Sequence, residues 1–150
     1  MKPQRTVAWT GAGLAGLCLV LLTGLAGCAP IDADSDGPPA VAKSINATDA
    51  LALIQSRQAD PNFIIIDVRT AEEFATGHIA NAVNICVTCT AQFRSTIAGL
   101  DRSRTYLVYC GSQHRSPTAI QILQEEGFTD LYELIGGLAA WQAAGLPTVQ

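Results

Sequence analysis

The chain has 150 residues, 49% of them hydrophobic, and a formal charge of −4, enough for one domain to bury a core without covalent staples. Its acidic balance, with no basic stripe and no interleaving of aromatic and basic residues, excludes nucleic acid as a partner. Loss of a leader carrying Lys2 and Arg5 would make the remainder more acidic still.

Met1 to Arg5 is a short basic head, and Val7 to Gly27 is an uncharged stretch rich in Leu, Ala and Gly that ends in Leu25-Ala26-Gly27-Cys28. A basic head, an apolar middle and small residues before a cut site make a secretory signal. Leu-Ala-Gly-Cys resembles the lipobox of bacterial lipoproteins, which implies a signal peptide over 1–27 and acylation of Cys28 as the new first residue. On length alone the apolar stretch could instead span a bilayer as an uncleaved anchor. Both readings place the domain outside the cytoplasm, tethered to a bacterial membrane on its periplasmic side or cell surface. Residues 28–42 carry Asp32, Asp34, Asp36, Gly37, Pro38 and Pro39, a composition unable to bury enough apolar surface to order itself, and are expected to form a tether.

From Lys43 onward strand and helix patterns alternate. A short extended piece near Ser44 to Asn46 leads to Thr48 and Asp49 as helix-start residues, with Leu51 and Ile54 one turn apart before the Asp60-Pro61-Asn62 turn. Phe63-Ile64-Ile65-Ile66 has no polar interruption, the pattern of a central parallel strand covered on both faces. Thr70 and Glu73 suit a capping box for a brief helix ending near Gly77. Ala82 to Ile85 is the next strand, and Phe93, Ile97 and Leu100 fall at helical spacing.

Thr105-Tyr106-Leu107-Val108 is a further buried strand, followed by a helix from Pro117 to about Glu126 that stops at Gly127. Leu131 to Leu134 forms the last strand, and a final helix bearing Trp141 follows Gly136-Gly137. The alternation predicts an α/β fold, a parallel sheet of five strands between helical layers with right-handed crossovers. Ligands of such folds bind at the carboxyl ends of the strands.

Cys110 stands at one of those ends, in Tyr109-Cys110-Gly111-Ser112-Gln113-His114-Arg115-Ser116-Pro117. Ser116 suits an N-cap and Pro117 the first helical position. The loop between strand and helix therefore aims free N–H groups and the positive end of a helix dipole at the Cys110 sulfur. An ordinary thiol, with a pKa of roughly 8.5, is only a few per cent ionised at neutral pH, and this environment favours the reactive thiolate.

The run YCGSQHRS, with IDVRTAEEFATGHIANAVNI before it and GGLAAWQAAGLPT after it, resembles a single-domain rhodanese, a sulfurtransferase, over about residues 43–149. The resemblance implies the rhodanese-like three-layer fold and a persulfide on Cys110. Sulfane sulfur would pass from thiosulfate or a persulfide to cyanide or a thiol, with no cofactor. Gly111, Ser112, Gln113, His114, Arg115 and Ser116 would line the substrate cradle, with Arg115 supplying the loop's permanent positive charge for an anionic donor. Asp67 and Arg69 would support the site, although both equally suit holding loops by hydrogen bonds and an ion pair. His78 and Trp141 read as structural.

Phosphatases sharing the fold use a loop one residue longer, which is not present here. A persulfide carrier or docking module is the alternative from another class. Gln113 departs from the glycine of related loops, and glutamine resists a left-handed turn; Asn81 departs similarly, but asparagine tolerates that region. Cys86 and Cys89, three apart after a strand, could form a disulfide, act as a redox pair or thiol relay for sulfur from Cys110, or stay unpaired. A zinc site lacks a second pair of ligands.

Overall fold

The computed structural model describes residues 41–150, and the expectations for the signal peptide, for Cys28 and for most of the tether lie outside them. Five strands form one sheet: β1 (Lys43–Ile45), β2 (Phe63–Asp67), β3 (Ala82–Asn84), β4 (Thr105–Tyr109) and β5 (Asp130–Leu134). Their order is β1-β5-β4-β2-β3, and every pairing is parallel. Between them run α1 (Ala47–Ser56), α2 (Ala71–Thr76), α3 (Thr90–Ala98) and α4 (Ser116–Glu125), with α5 (Gly137–Ala143) last.

Apolar residues of β4 have no exposed face, because the strand is central and alternate side chains enter two cores. Tyr106, Val108 and Cys110 join Phe93 and Ile97 of α3 and Ala119, Ile120 and Leu123 of α4. Leu107 and Tyr109 join Ala47 and Ala50 of α1 and Leu138 and Trp141 of α5. Cys110 is thus anchored on the α3/α4 side, one residue past the end of the strand.

Local signals explain most of the boundaries. Thr70 and Glu73 form the expected capping box at α2. The cap of α1 is Asn46, whose Oδ1 accepts from the Asp49 N–H at 2.9 Å, two residues before the expected start at Thr48. The start of α4 also differs from expectation. Arg115 holds the N-cap position without a side-chain cap bond, and Ser116 is already helical. The Ser116 hydroxyl is engaged elsewhere, donating to Glu133 Oε1 at 2.8 Å.

The beginning of α5 is pressed against the Cys110 loop. The Leu138 N–H donates to the Cys110 carbonyl at 2.8 Å and the Ala139 N–H to the Gly111 carbonyl at 2.9 Å. Gly137, at φ +60°, allows this approach: a Cβ there would overlap the Cys110 carbonyl oxygen and lie 2.9 Å from the Gly111 carbonyl carbon. The last residues are stitched back, with His78 and Val149 exchanging backbone hydrogen bonds at 2.9 Å and the Trp141 Nε1–H donating to the Pro147 carbonyl at 2.9 Å.

Gly137→Ala combines left-handed strain with backbone overlap, so it is expected to cost about 2–4 kcal/mol of stability. A urea titration checks this, and an unchanged midpoint would show that the loop and α5 can separate freely.

Candidate active site

Cys110 is 1% exposed. Its Sγ accepts from the Arg115 N–H at 3.4 Å and lies 3.6 Å from Ser116 Oγ. Burial pushes the thiol up, but hydrogen bonds outweigh it and bring the group below the ordinary thiol value. They come from the Arg115 N–H, the Ser116 hydroxyl and the N–H groups of Ser116 and Ser112. Of the amides expected around the sulfur, the Arg115 N–H makes a hydrogen bond to it, where the chain curls from β4 into α4.

The curl requires a left-handed residue, and Gln113 supplies it at φ +65°. The misfit anticipated for glutamine is met by its own side chain: Gln113 Oε1 accepts from the Gly136 N–H at 2.9 Å. The glycine-free turn is therefore tied to the segment that starts α5. Asn81 also adopts a left-handed conformation, at φ +64°.

Arg115 does not stand free in the cradle. Its guanidinium meets the Glu73 carboxylate side by side, Nη1 to Oε2 at 2.6 Å and Nη2 to Oε1 at 2.7 Å. The side chain folds over Gly111, where a Cβ would come 3.4 Å from Arg115 Nη2. The Arg115 hydrogen bond, working against burial, holds the Glu73 carboxyl at about 2, with further help from the Thr70 N–H. Arg115, expected to serve an anionic donor or else to partner a carboxylate, is paired with Glu73 here. The loop's fixed positive charge has a carboxylate partner.

A family model for the rhodanese-like domain matches residues 47–144. The chain belongs to the rhodanese-like family. Over 101 residues it is 33% identical to the thiosulfate sulfurtransferase GlpE of Coxiella burnetii, covering 67% of this chain and 88% of that one. It is also 33% identical over 105 residues to an uncharacterized protein of Synechocystis, covering 70% of this chain and 57% of that longer protein. The crystal structure of a rhodanese-related protein from Thermoplasma volcanium superposes with a TM-score of 0.58 at 30% identity, over 71% of this chain and 97% of that one.

Within this rhodanese-like domain the other expected site residues divide by place. Ser112 and His114 sit on the loop's exposed side, Ser112 Oγ lying 2.9 Å from His114 Nδ1. Asp67 and Arg69 are buried together behind the site. Arg69 Nη2 donates to Asp67 Oδ2 at 2.6 Å and to the Gly77 carbonyl at 2.7 Å. That is a clamp on the β2–α2 corner, the structural role both residue types also suited. His78 stacks on Phe74 with ring centroids 3.7 Å apart, and Trp141 is buried in the core. Among the described residues, no group of three or more His, Cys, Asp or Glu is placed to hold a metal.

Two site residues escaped the sequence reading. Glu73 was recognised only as half of a capping box, and its second role rests on a contact across 42 residues. Glu133, on β5 and 8% exposed, is linked to Cys110 through the buried Ser116 hydroxyl. A carboxylate between the apolar Leu131 and Leu134 was its one visible signal. Cys86 and Cys89 are unbridged thiols beyond β3, the first half-buried and the second exposed.

Two outcomes test this geometry. Gln113→Ala keeps the strained backbone and loses the bond to Gly136, whereas Gln113→Gly relieves the strain, so Ala is expected to be the less stable by about 1 kcal/mol in urea melts. The Glu73 carboxyl lies below its value of roughly 4.3 in an unfolded chain, so its contribution to stability is complete above about pH 4.5 and is lost as pH falls toward 2. Glu73→Gln should accordingly flatten the decline of the thermal midpoint across that window.

Proposed function

We propose that this protein is a sulfurtransferase that carries sulfane sulfur on Cys110. The observation that carries the reading is the buried Cys110 sulfur, which accepts from the Arg115 N–H at 3.4 Å and lies 3.6 Å from Ser116 Oγ at the start of a helix. The thiolate attacks the outer sulfur of thiosulfate, the sulfur–sulfur bond of the donor breaks, and sulfite leaves with its electron pair. Cyanide or a thiolate then attacks the outer sulfur of the Cys110 persulfide, and Cys110 is released as a thiolate. The same amides that favour the thiolate favour the equally anionic persulfide. Ser116 and Glu133 lie along the path by which the thiol's proton leaves before the first attack.

Donor choice turns on Glu73. A thiosulfate dianion approaching Arg115 competes with a carboxylate already paired to it, while a persulfide donor needs no free cation. Gly111, Ser112, Gln113, His114 and Ser116 would line the approach, with amides as the principal donors. The same pairing favours the second reading, in which the domain holds a persulfide for a partner without rapid turnover with thiosulfate.

Cys28 is proposed as a lipidated residue tethering the domain outside the cytoplasm. Support comes from the basic head, the apolar stretch and Leu25-Ala26-Gly27-Cys28. Intact mass of membrane-extracted protein tests it, and an unmodified chain retaining Met1 would refute it.

Protein incubated with thiosulfate is expected to gain one sulfur on Cys110 and lose it to cyanide with turnover, and Cys110→Ser should abolish both. Loading without turnover would leave the carrier reading standing. Glu73→Gln should lower KM for thiosulfate more than for a persulfide donor, since it frees Arg115. Ser116→Ala, which removes a hydrogen bond to the thiolate, should move the pH profile of Cys110 alkylation to higher pH; an unmoved profile would remove Ser116 from the site.

A further inference from the structure

Beyond β3 the chain runs Cys86-Val87-Thr88-Cys89 and then enters α3. Val87 is buried, and its N–H donates to the Val68 carbonyl at 3.2 Å, which fixes the segment to the extension of β2. The Cys89 N–H donates back to the Cys86 carbonyl at 3.3 Å. A turn closed in this way brings the first and fourth Cα atoms within about 7 Å, which overlaps the span a disulfide bridges. The two side chains open onto the same side of that turn, since both line one cavity.

Both cysteines line one cavity of about 270 Å³, together with Thr70, Asn84 and Gln92. Among the described residues Glu72 is the only charged side chain on its wall, and Cys110 does not line it. The two sulfurs are not equivalent. Burial raises Cys86, but the Cys89 thiol, the Thr88 hydroxyl and nearby N–H groups bring it below the ordinary value. The hydrogen bond with Cys86 raises Cys89. Cys86 is therefore the readier of the two to ionise, and its Sγ lies 3.2 Å from Thr88 Oγ1.

We propose that Cys86 and Cys89 form a second active site, a dithiol that reduces low-molecular-weight disulfides bearing ammonium groups. The Cys86 thiolate attacks one sulfur of RS–SR, forms a Cys86–S–SR bond and releases RS⁻. Cys89 gives its proton to solvent and attacks the Cys86 sulfur, closing the Cys86–Cys89 bond and releasing the second RS⁻. Two electrons pass from the dithiol to the substrate, and two protons end on the released thiols. The Thr88 hydroxyl steadies the attacking sulfur, and Glu72 selects for positive charge. This chemistry is independent of persulfide formation on Cys110.

The test uses reduced full-length protein with excess cystamine, followed by alkylation and trypsin. The peptide Thr70–Arg94 contains Cys86 and Cys89 and no other cysteine, so Cys18, Cys28 and Cys110 do not interfere. The peptide should be recovered as an internal disulfide two hydrogens lighter, with no cysteamine attached. Cys89→Ser should accumulate cysteamine bound to Cys86. The reaction should run at least about threefold faster with cystamine than with the dicarboxylate 3,3′-dithiodipropionate at low ionic strength, and the ratio should shrink in about 0.5 M salt. Two free thiols in the wild-type peptide, a stable wild-type mixed disulfide, or a Cys89→Ser protein without an adduct on Cys86 would overturn the site. Equal rates with the two probes would overturn its proposed substrate class.

Discussion

The reactive loop depends on how the carbonyls of Cys110 and Gly111 are held from behind. A strand that ends at a cysteine leaves donors and acceptors on both sides of the turn. Here the acceptors are taken by Leu138 and Ala139 at the start of α5. With the carbonyls turned away and satisfied, the Arg115 N–H is left facing the sulfur at 3.4 Å. Gly137 makes that close approach sterically feasible, and Gln113 adds a second tie through Gly136. The lowered pKa of Cys110 is therefore as much a property of residues 136–139 as of its own loop.

Charge in the site is arranged in pairs. Asp67 and Arg69 neutralise each other out of water behind the loop, where a lone charge would cost several kcal/mol. Glu73 and Arg115 do the same at the half-exposed front. Negative charge at the Cys110 sulfur is thus stabilised chiefly by short-range amide dipoles rather than by a free side-chain cation.

Much of the fold is legible in the chain because the signals are local. The uninterrupted Phe63 to Ile66 run, the Thr70/Glu73 box and the periodic Phe93 and Ile97 each specify an element from its own neighbourhood. Errors occurred where several residues could serve one purpose. Asn46, Thr48 and Asp49 are all cap-forming types, and tertiary register selected Asn46. Ser116 looked like a cap because its hydroxyl partner, Glu133, lies on another strand. The reactive cysteine was visible in the motif, but the pairings that tune it join residues far apart in the chain, and no spacing rule announces them. Gln113 shows the same limit, since a residue unsuited to its backbone was accommodated by an N–H 23 positions away.

The stitching of the C-terminal residues has a consequence for biosynthesis. β4 and Cys110 are made before β5, the glycine pair and the Trp141 helix. The return of Val149 to His78 comes later still. A chain still emerging from a ribosome therefore carries Cys110 without the peptide groups that hold its loop. Until residues 136–139 have been made, the carbonyls of Cys110 and Gly111 have no partners to turn them from the sulfur.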